Sequence, residues 1–367
     1  MKDQIVTSKI VQEDIRNIVQ LVGAETNRLS GKALLITGGT GFIGSYLLQT
    51  AVYLNDHVLS QPCRIALTTR DARRFTARFP GLKDRSDLTL IETDVKAFRP
   101  PSRHWDFIIH AAGASDSRQF MQDPLDTMAT IIDGTRSLLE IASESGVESF
   151  LFVSSGAVYG HQSRETLWVS EDDSGGPDLR LARSCYAEAK RCAEMLCRIA
   201  AETRKLPVTI ARVFTLVGPY QDLNSTSAVI DFIRQALDGD TIHIRDAGQT
   251  VRSYCYIADA VTALWRLLLR SDHGDAFNVG SDLEAVSFVD LAHRIGKCLG
   301  KAVTVQVGGA SASGVLGERY APNVSRLAQR EGFRPATSLD EALRRTIVWM
   351  REQRALRKER HSVVPNC

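Results

Sequence analysis

The stretch from Gly31 to Leu48, GKALLITGGTGFIGSYLL, decides how the rest of the chain is read. Its apolar run Ala33-Leu34-Leu35-Ile36 has the length and composition of a strand buried on both faces. The run stops at a cluster of small residues before a helical pattern resumes, and Gly38, Gly41 and Gly44 are spaced three apart across that junction. Glycine has physical reasons to be there: the backbone must turn tightly, approach a pyrophosphate with no Cβ in the way, and let the helix pack closely on the strand. The start of the helix then offers unpaired N–H groups and the positive end of its dipole to the phosphates. A strand before and a helix after separate this pattern from an ordinary glycine-rich loop. Gly38 and the turn Thr40-Gly41-Phe42-Ile43-Gly44 are therefore the expected dinucleotide cradle.

Composition sets the frame around it. With 44% apolar and 24% charged residues, 367 residues suffice for one large or two modest domains with a sizeable core. A formal net charge of +2 argues against nucleic acid or an anionic membrane as the main partner. No apolar run approaches the roughly 18 residues of a membrane span. The polar start MKDQIVTSK lacks the plan of a signal peptide, so a cytoplasmic protein is expected. The seven cysteines form no C-x-x-C pair and no metal-ligand spacing with histidine, which predicts reduced thiols and no bound metal.

Upstream of the glycine stretch, Val11, Ile15, Ile18, Val19 and Val22 recur at helical spacing, so residues 8–22 read as an amphipathic helix outside the nucleotide fold. Downstream, a second strand at 64–69 ends in Arg70-Asp71. An acidic residue at this strand end would bind the adenosine ribose hydroxyls, whereas arginine accommodates a 2′-phosphate. Both are present; Arg70 comes first, with Arg73 and Arg74 behind it, which leans the cofactor from NAD toward NADP. A third strand, 88–91, leads to Asp94 and Val95, suited to the adenine ring. A fourth, 107–110, leads to Ala111-Ala112-Gly113, small enough for a cofactor to lie against the backbone; His110 reads as a packed histidine, not a catalyst. A helix over 124–145 and a fifth strand from Ser149 follow, the strand ending in Ser154-Ser155-Gly156-Ala157. Alternating strand and helix patterns predict a parallel, doubly wound sheet with its ligands at the strand C-termini.

Next comes Arg183-Ser184-Cys185-Tyr186-Ala187-Glu188-Ala189-Lys190. Tyr186 and Lys190, four apart, share one helix face. A tyrosine of ordinary pKa is a poor base at neutral pH, but a neighbouring ammonium, aided by an oxidised nicotinamide, favours its phenolate. Ser155, rather than Ser154, is placed to hydrogen-bond the same substrate oxygen, leaving Ser154 on the cofactor side.

At these residues the chain resembles the extended short-chain dehydrogenase/reductase superfamily and, within it, the nucleotide-sugar epimerase/dehydratase family. The resemblance runs from about Gly31 to Met350. Arg212-Val213-Phe214 with Gly218-Pro219 is similar to the family's R-x-F-N-x-x-G-P segment, and 248–259 to its G-x-Q-x-R segment ending in Asp259. Phe277-Asn278-Val279-Gly280 resembles its F/Y-N-V/L-G turn. The resemblance implies a Rossmann-type sheet with a smaller C-terminal α/β substrate domain, a tightly held NAD or NADP, a nucleotide-diphosphate sugar as substrate, and a homodimer. It also implies Arg252 on the diphosphate, with Ser115, Ser155, Thr215 and Asn278 as further substrate contacts. Tyr186 would take a proton from a sugar hydroxyl, most often at C4, while hydride passes to the nicotinamide; the resulting ketone serves epimerisation, dehydration or decarboxylation.

The departures bear on the outcome. The 4,6-dehydratases carry an Asp-Glu pair where this chain has Gly156-Ala157, and UDP-glucuronate decarboxylases, otherwise similar over Arg183 to Cys197 and Gln249 to Tyr256, carry a glutamate at Ala157. A C4-epimerase needs neither. The family's asparagine after Arg-x-Phe is Thr215 here, and another expected near Ile131 is missing. The expected organisation is a helical extension over 1–30, the dinucleotide domain over 31–210, a mainly sugar-nucleotide-binding part over 211–350 with segments returning to the sheet, and a basic tail over 351–367. Gly308 to Gly317 reads as a flexible loop, and the helix from Leu339 to about His361 as having a solvated basic end. An epimerase leads the functional expectations, ahead of a decarboxylase-like or dehydratase-like lyase, an NADPH-dependent keto-sugar reductase, and a redox-sensing binding protein without chemistry.

Overall fold

The computed structural model describes residues 8–99, 104–113, 117–162, 165–270, 274–309 and 318–362. Six strands follow in chain order, β1 (Ala33–Thr37), β2 (Arg64–Thr69), β3 (Leu88–Glu92), β4 (Phe107–His110), β5 (Ser149–Ser155) and β6 (Val208–Val213). With the edge strand Ala276–Val279 they form a seven-stranded sheet, ordered from that edge through β6, β5, β4, β1 and β2 to β3. Every pairing is parallel. The strand order reverses between β1 and β4, and at such a switch point the loops diverge and leave a crevice at the C-terminal ends of the strands.

The helices are α1 (Lys9–Val22), α2 (Phe42–His57), α3 (Ala72–Arg78), α4 (Ser117–Gln122), α5 (Pro124–Ser145), α6 (Cys185–Arg204), α7 (Ala228–Asp238), α8 (Ile257–Arg270), α9 (Phe288–Leu299), α10 (Ser325–Glu331) and α11 (Leu339–Ser362). Alternate strand residues point to opposite faces of the sheet. Leu34, Ile36 and Leu151 accordingly join Leu47 of α2 and Leu264 of α8 in one core, while Leu35, Ile108 and Phe150 join Leu138 of α5 and Ala193 of α6 in the other. Both faces are covered, as the unbroken apolar run at Ala33 to Ile36 requires.

The motif read as an F-N-V-G turn is for the most part strand. Phe277 and Val279 are fully buried, and Asn278 sits opposite Arg212 of β6. Two apolar residues flanking a fully hydrogen-bonded asparagine are accommodated at a covered sheet edge as readily as in a turn.

The expected N-terminal helix forms as α1, with Val11, Ile15, Ile18 and Val22 buried against α8 and α2. Its apolar face also carries Asp14, 2% exposed. One oxygen of Asp14 accepts from Tyr46 Oη at 2.7 Å and Tyr256 Oη at 2.6 Å, and the other from Arg345 of α11 at 2.9 Å. Burial raises the Asp14 pKa against the pull of these partners. The helix is thus keyed into the body of the protein by a carboxylate that periodicity alone does not flag.

In the basic end of α11, Arg351 is exposed and the partly exposed Arg354 pairs with Asp238 of α7 at 2.7 Å. Residues 310–317 of the glycine-rich loop and 363–367 of the tail lie outside the described residues. Among the described residues no helix is long and apolar enough to cross a membrane, and the cysteines there are unbridged.

Candidate active site at the switch point

The glycine loop shows where each missing side chain matters. Gly38 has φ +72°, a left-handed conformation that costs other residues about 1–2 kcal/mol. A Cβ there would also stand 2.6 Å from the Ala111 carbonyl oxygen and 2.8 Å from Ala112 Cα, so the β1 and β4 loops meet backbone to backbone. A Cβ on Gly44 would strike the Gly38 carbonyl, which fixes how closely α2 packs on β1. At Gly41 the nearest atom to such a Cβ is Gly38 O at 3.2 Å, and Gly41 caps α2 with no side-chain acceptor. The first N–H groups of α2 therefore stay available, and with this cradle they fit a dinucleotide pyrophosphate. Gly38→Ala is expected to lower the melting midpoint by several degrees and to weaken dinucleotide binding, as read by thermal denaturation with and without NAD. A variant matching the parent in both would remove this account of the loop.

Around the cradle, Arg70 is exposed at the end of β2, whereas Asp71 is committed to capping α3, accepting from Arg74 N–H at 2.9 Å. Asp94 accepts from Lys96 N–H at 2.9 Å and pairs with its ammonium at 3.2 Å, and Val95 is buried against Gly134. His110 is fully buried. Thr135 Oγ1 donates to Ile131 O at 2.7 Å, so it accepts from His110 Nε2–H at 3.1 Å, and Nδ1 accepts from Thr37 Oγ1 at 2.8 Å. Burial, reinforced by the Lys190 charge, brings the His110 pKa down to about 3. The ring stays neutral and ties Thr37 to the Ala111-Ala112 turn, where Ala112 N–H donates to Thr37 Oγ1 at 3.2 Å.

The catalytic candidates converge beside this turn. Lys190, 3% exposed, donates to Val153 O of β5 at 2.7 Å, leaving two N–H donors, and its Nζ lies 3.7 Å from where a Cβ of Gly113 would stand. Burial lowers its pKa to about 8, while Glu194 one turn further along α6 partly offsets the loss. Lys190 Nζ is 6.0 Å from the Tyr186 ring centre. Phe120 of α4 stacks on Tyr186, with centroids 4.6 Å apart and planes 13° off parallel. Burial raises the Tyr186 pKa and a hydrogen bond with Ser155 lowers it. Ser155 Oγ also accepts from Ala157 N–H at 3.1 Å.

Tyr320 closes the far wall. Its ring lies tilted against Phe214, with centroids 4.6 Å apart and planes 33° apart, and the Arg252 guanidinium lies 5.4 Å over it. A Cβ on Gly156 would stand 2.5 Å from Tyr320 Oη and 2.6 Å from Phe214 Cζ, so position 156 has no room for a side chain. Arg252 meets Glu318 at 3.3 Å, and Thr215 is half-buried beside Phe214.

Residues 34–280 match the family described as "NAD dependent epimerase/dehydratase family". The chain belongs to that family. UDP-N-acetyl-alpha-D-glucosaminuronate decarboxylase of Bacillus cytotoxicus is 30% identical over 329 residues, covering 88% of this chain and 98% of that protein. UDP-glucuronic acid decarboxylase 1 of Xenopus tropicalis is 28% identical over 329 residues, covering 88% of this chain and 73% of that protein. The crystal structure of UDP-glucuronic acid 4-epimerase from Bacillus cereus, in complex with UDP-glucuronic acid and NAD, superposes with a TM-score of 0.74 at 24% identity, covering 88% and 99% of the two chains. The protein is thus an enzyme of the extended short-chain dehydrogenase/reductase superfamily, built on the Rossmann-type sheet expected from its glycine stretch.

Within this epimerase/dehydratase scaffold two expected ligand contacts are spent on the protein. Asn278 is fully buried; its oxygen accepts from Tyr159 Oη at 2.7 Å, and its amide donates to Val169 O at 3.0 Å and Asn323 O at 3.1 Å. These bonds tie the edge strand to the segments around Tyr159, Val169 and Asn323. Ser154 Oγ donates to Glu194 Oε1 at 2.6 Å. Ser115 lies outside the described residues. The sequence reading passed over four residues that shape the site. Phe120 and Tyr320 come from segments distant in sequence, Glu194 continues the Tyr186-Lys190 face by one more turn, and Gly39 leaves space filled by Leu67. The four-residue repeat Tyr186, Lys190, Glu194 was the available signal for Glu194, and the likeness of Arg319-Tyr320-Ala321-Pro322 to the family's substrate part was that for Tyr320, with no role attached to it.

Proposed function

We propose that this family member converts a nucleotide-diphosphate sugar by transient oxidation at C4 and return of the hydride, giving the epimer. The observation that carries this reading is the end of β5. Gly156 and Ala157 bring no carboxylate, and Tyr320 with Phe214 fills the space an acidic side chain at 156 would need. A nicotinamide dinucleotide held by the Gly38–Gly44 cradle would supply a reversible hydride acceptor. In this reading Tyr186 holds the proton taken from the C4 hydroxyl, Lys190 keeps the phenolate favourable and uses its remaining donors on the cofactor ribose, and Ser155 orients the reacting oxygen. Arg252 leaves Glu318 to grip the diphosphate. Both faces of a ketone at C4 are open to hydride without an added acid or base, so no further group is required.

A decarboxylase is the second reading, supported by relatives described as UDP-glucuronic acid decarboxylases over most of this chain. The same ketone labilises a carboxylate in the β-position. Incubating the purified protein with UDP-, dTDP-, GDP- and CDP-sugars, uronates included, separates the two. Unchanged product mass with altered NMR couplings is the expected result; loss of carbon dioxide moves the assignment to the decarboxylase, and loss of water overturns both.

For the cofactor, Arg70 supports NADP, whereas related structures hold NAD. Arg70→Ala is expected to weaken NADP binding at least about tenfold, one charge-assisted contact, and to leave NAD affinity unchanged in calorimetric titration. Equal affinity changes for both dinucleotides would remove Arg70 from this role. The exposed apolar side chains Met195 and Ile199 on α6 and Leu125 on α5 support a homodimer.

A further inference from the structure

A glycine-rich turn that leaves room for a dinucleotide has few side chains of its own to hold it, and each glycine adds backbone freedom that binding has to remove. The turn from Gly38 to Gly41 is closed by Gly41 N–H, which donates to Gly38 O at 3.0 Å. Its middle carbonyl is taken from outside: Arg78, the last residue of α3, donates from Nη1 to Thr40 O at 2.9 Å. The peptide unit joining Thr40 to Gly41 is planar, so it is pinned at both of its polar ends. That unit leads straight into Phe42, where α2 begins, and sets the course of the first helical N–H groups.

The other arm of the guanidinium has a fixed base. Arg78 Nη2 donates to Tyr220 O at 2.9 Å, and the guanidinium lies 4.7 Å over the Tyr220 ring. Tyr220 adopts φ +70°, a left-handed conformation that a side chain enters at a cost and keeps only where its surroundings impose it. They do so here. The ring meets Tyr46 of α2 and Phe79 at centroid separations of 5.8 Å and Trp349 of α11 at 5.9 Å, and its hydroxyl donates to Gln49 Oε1 at 3.3 Å. Both Arg78 bonds go to neutral carbonyls, and among the described residues it meets no carboxylate within 4 Å. Its charge, which persists at any working pH, is left uncancelled beside a turn shaped for a diphosphate. We propose that Arg78 is a positioning residue of the cradle: anchored on Tyr220, it holds the Thr40 carbonyl, and with it the glycine turn, in the conformation that takes the dinucleotide pyrophosphate. The inference rests on that turn being the dinucleotide site. Arg70 would tell the two dinucleotides apart, whereas Arg78 acts on the part that NAD and NADP share.

Calorimetric titration of the purified protein, stripped of dinucleotide, with NAD and with NADP tests this without any sugar. Arg78→Met keeps an apolar stem against Tyr220 and donates nothing. It is expected to weaken whichever dinucleotides the parent binds by at least about tenfold, the cost of one charge-assisted hydrogen bond. Arg78→Ala is expected to weaken them as much, and millimolar methylguanidinium to restore most of the loss by entering the vacated space. The same addition should leave the parent and Arg78→Met unchanged, because their own side chains fill that space. Affinities within about threefold of the parent in both variants overturn the inference. So does a loss in Arg78→Ala that methylguanidinium leaves unrestored, which assigns Arg78 to folding alone, and so does a loss confined to NADP, which assigns it to the ribose phosphate. A parent that binds neither dinucleotide overturns the cradle and this inference together.

Discussion

Tyr186→Phe is expected to lower kcat by about 10²–10⁴-fold with little change in KM, the range typical for removing a general acid–base group. The ring, its stack on Phe120 and its place on α6 all survive the change, so only the proton-carrying oxygen is lost. Steady-state rates on the responsive nucleotide sugar measure it, and a variant within tenfold of the parent would end the case for Tyr186 as base. The same experiment run across pH reads Lys190. Its pKa of about 8 sits below the ordinary lysine value because burial disfavours the ammonium. The charge that supports the phenolate is thus lost as pH rises through about 8, and activity should fall there. Stability runs the other way. Between about pH 8 and the ordinary lysine pKa the unfolded chain binds the proton that the folded protein has released, so Lys190 contributes rising stability across that window.

Glu194→Ala is expected to cost about 3–5 kcal/mol of folding stability, the usual result of leaving one member of a buried ion pair alone. Glu194 meets Arg212 through both oxygens at 2.7 to 3.1 Å, and both side chains are largely removed from water. Ser154 loses its acceptor in the same change. Urea denaturation measures the cost. Removing the second charge as well, in Glu194→Ala with Arg212→Met, should recover a substantial part of it, because the double variant leaves no uncompensated charge. A single variant losing under about 1 kcal/mol would mean that solvent already screens the pair.

The parts that were legible in the sequence are those whose chemistry is local. The apolar run before Gly38, the glycine spacing and the four-residue step from Tyr186 to Lys190 each encode a short-range geometry, and β1, α2 and α6 form where they predict. The packed reading of His110 follows from its place at the end of an apolar strand, and its two threonine partners account for it. Contacts that close over long separations left no such trace. Tyr320 reaches the Gly156 position at the end of β5 from more than 160 residues away, on a two-residue strand too short to carry a periodicity. Asn278 was expected at the substrate only through its likeness to the family's F/Y-N-V/L-G segment; its pairing with β6 and its side-chain bonds to Tyr159, Val169 and Asn323 became visible only in the fold.

The buried carboxylate of α1 carries a consequence for the order of events during synthesis. Asp14 and Arg345 are 331 residues apart, yet the arginine supplies the only opposite charge within 4 Å of this carboxylate among the described residues. At ribosomal speeds of 5–20 residues per second, roughly 20–60 s separate the appearance of the two. Over that interval, burying Asp14 against Tyr46 and Tyr256 would strand a charge, so docking of the first helix waits for α11. Although α1 is made well before α11, it is therefore among the last of these elements to settle, and until then its apolar face is a surface the nascent chain has to keep from other proteins.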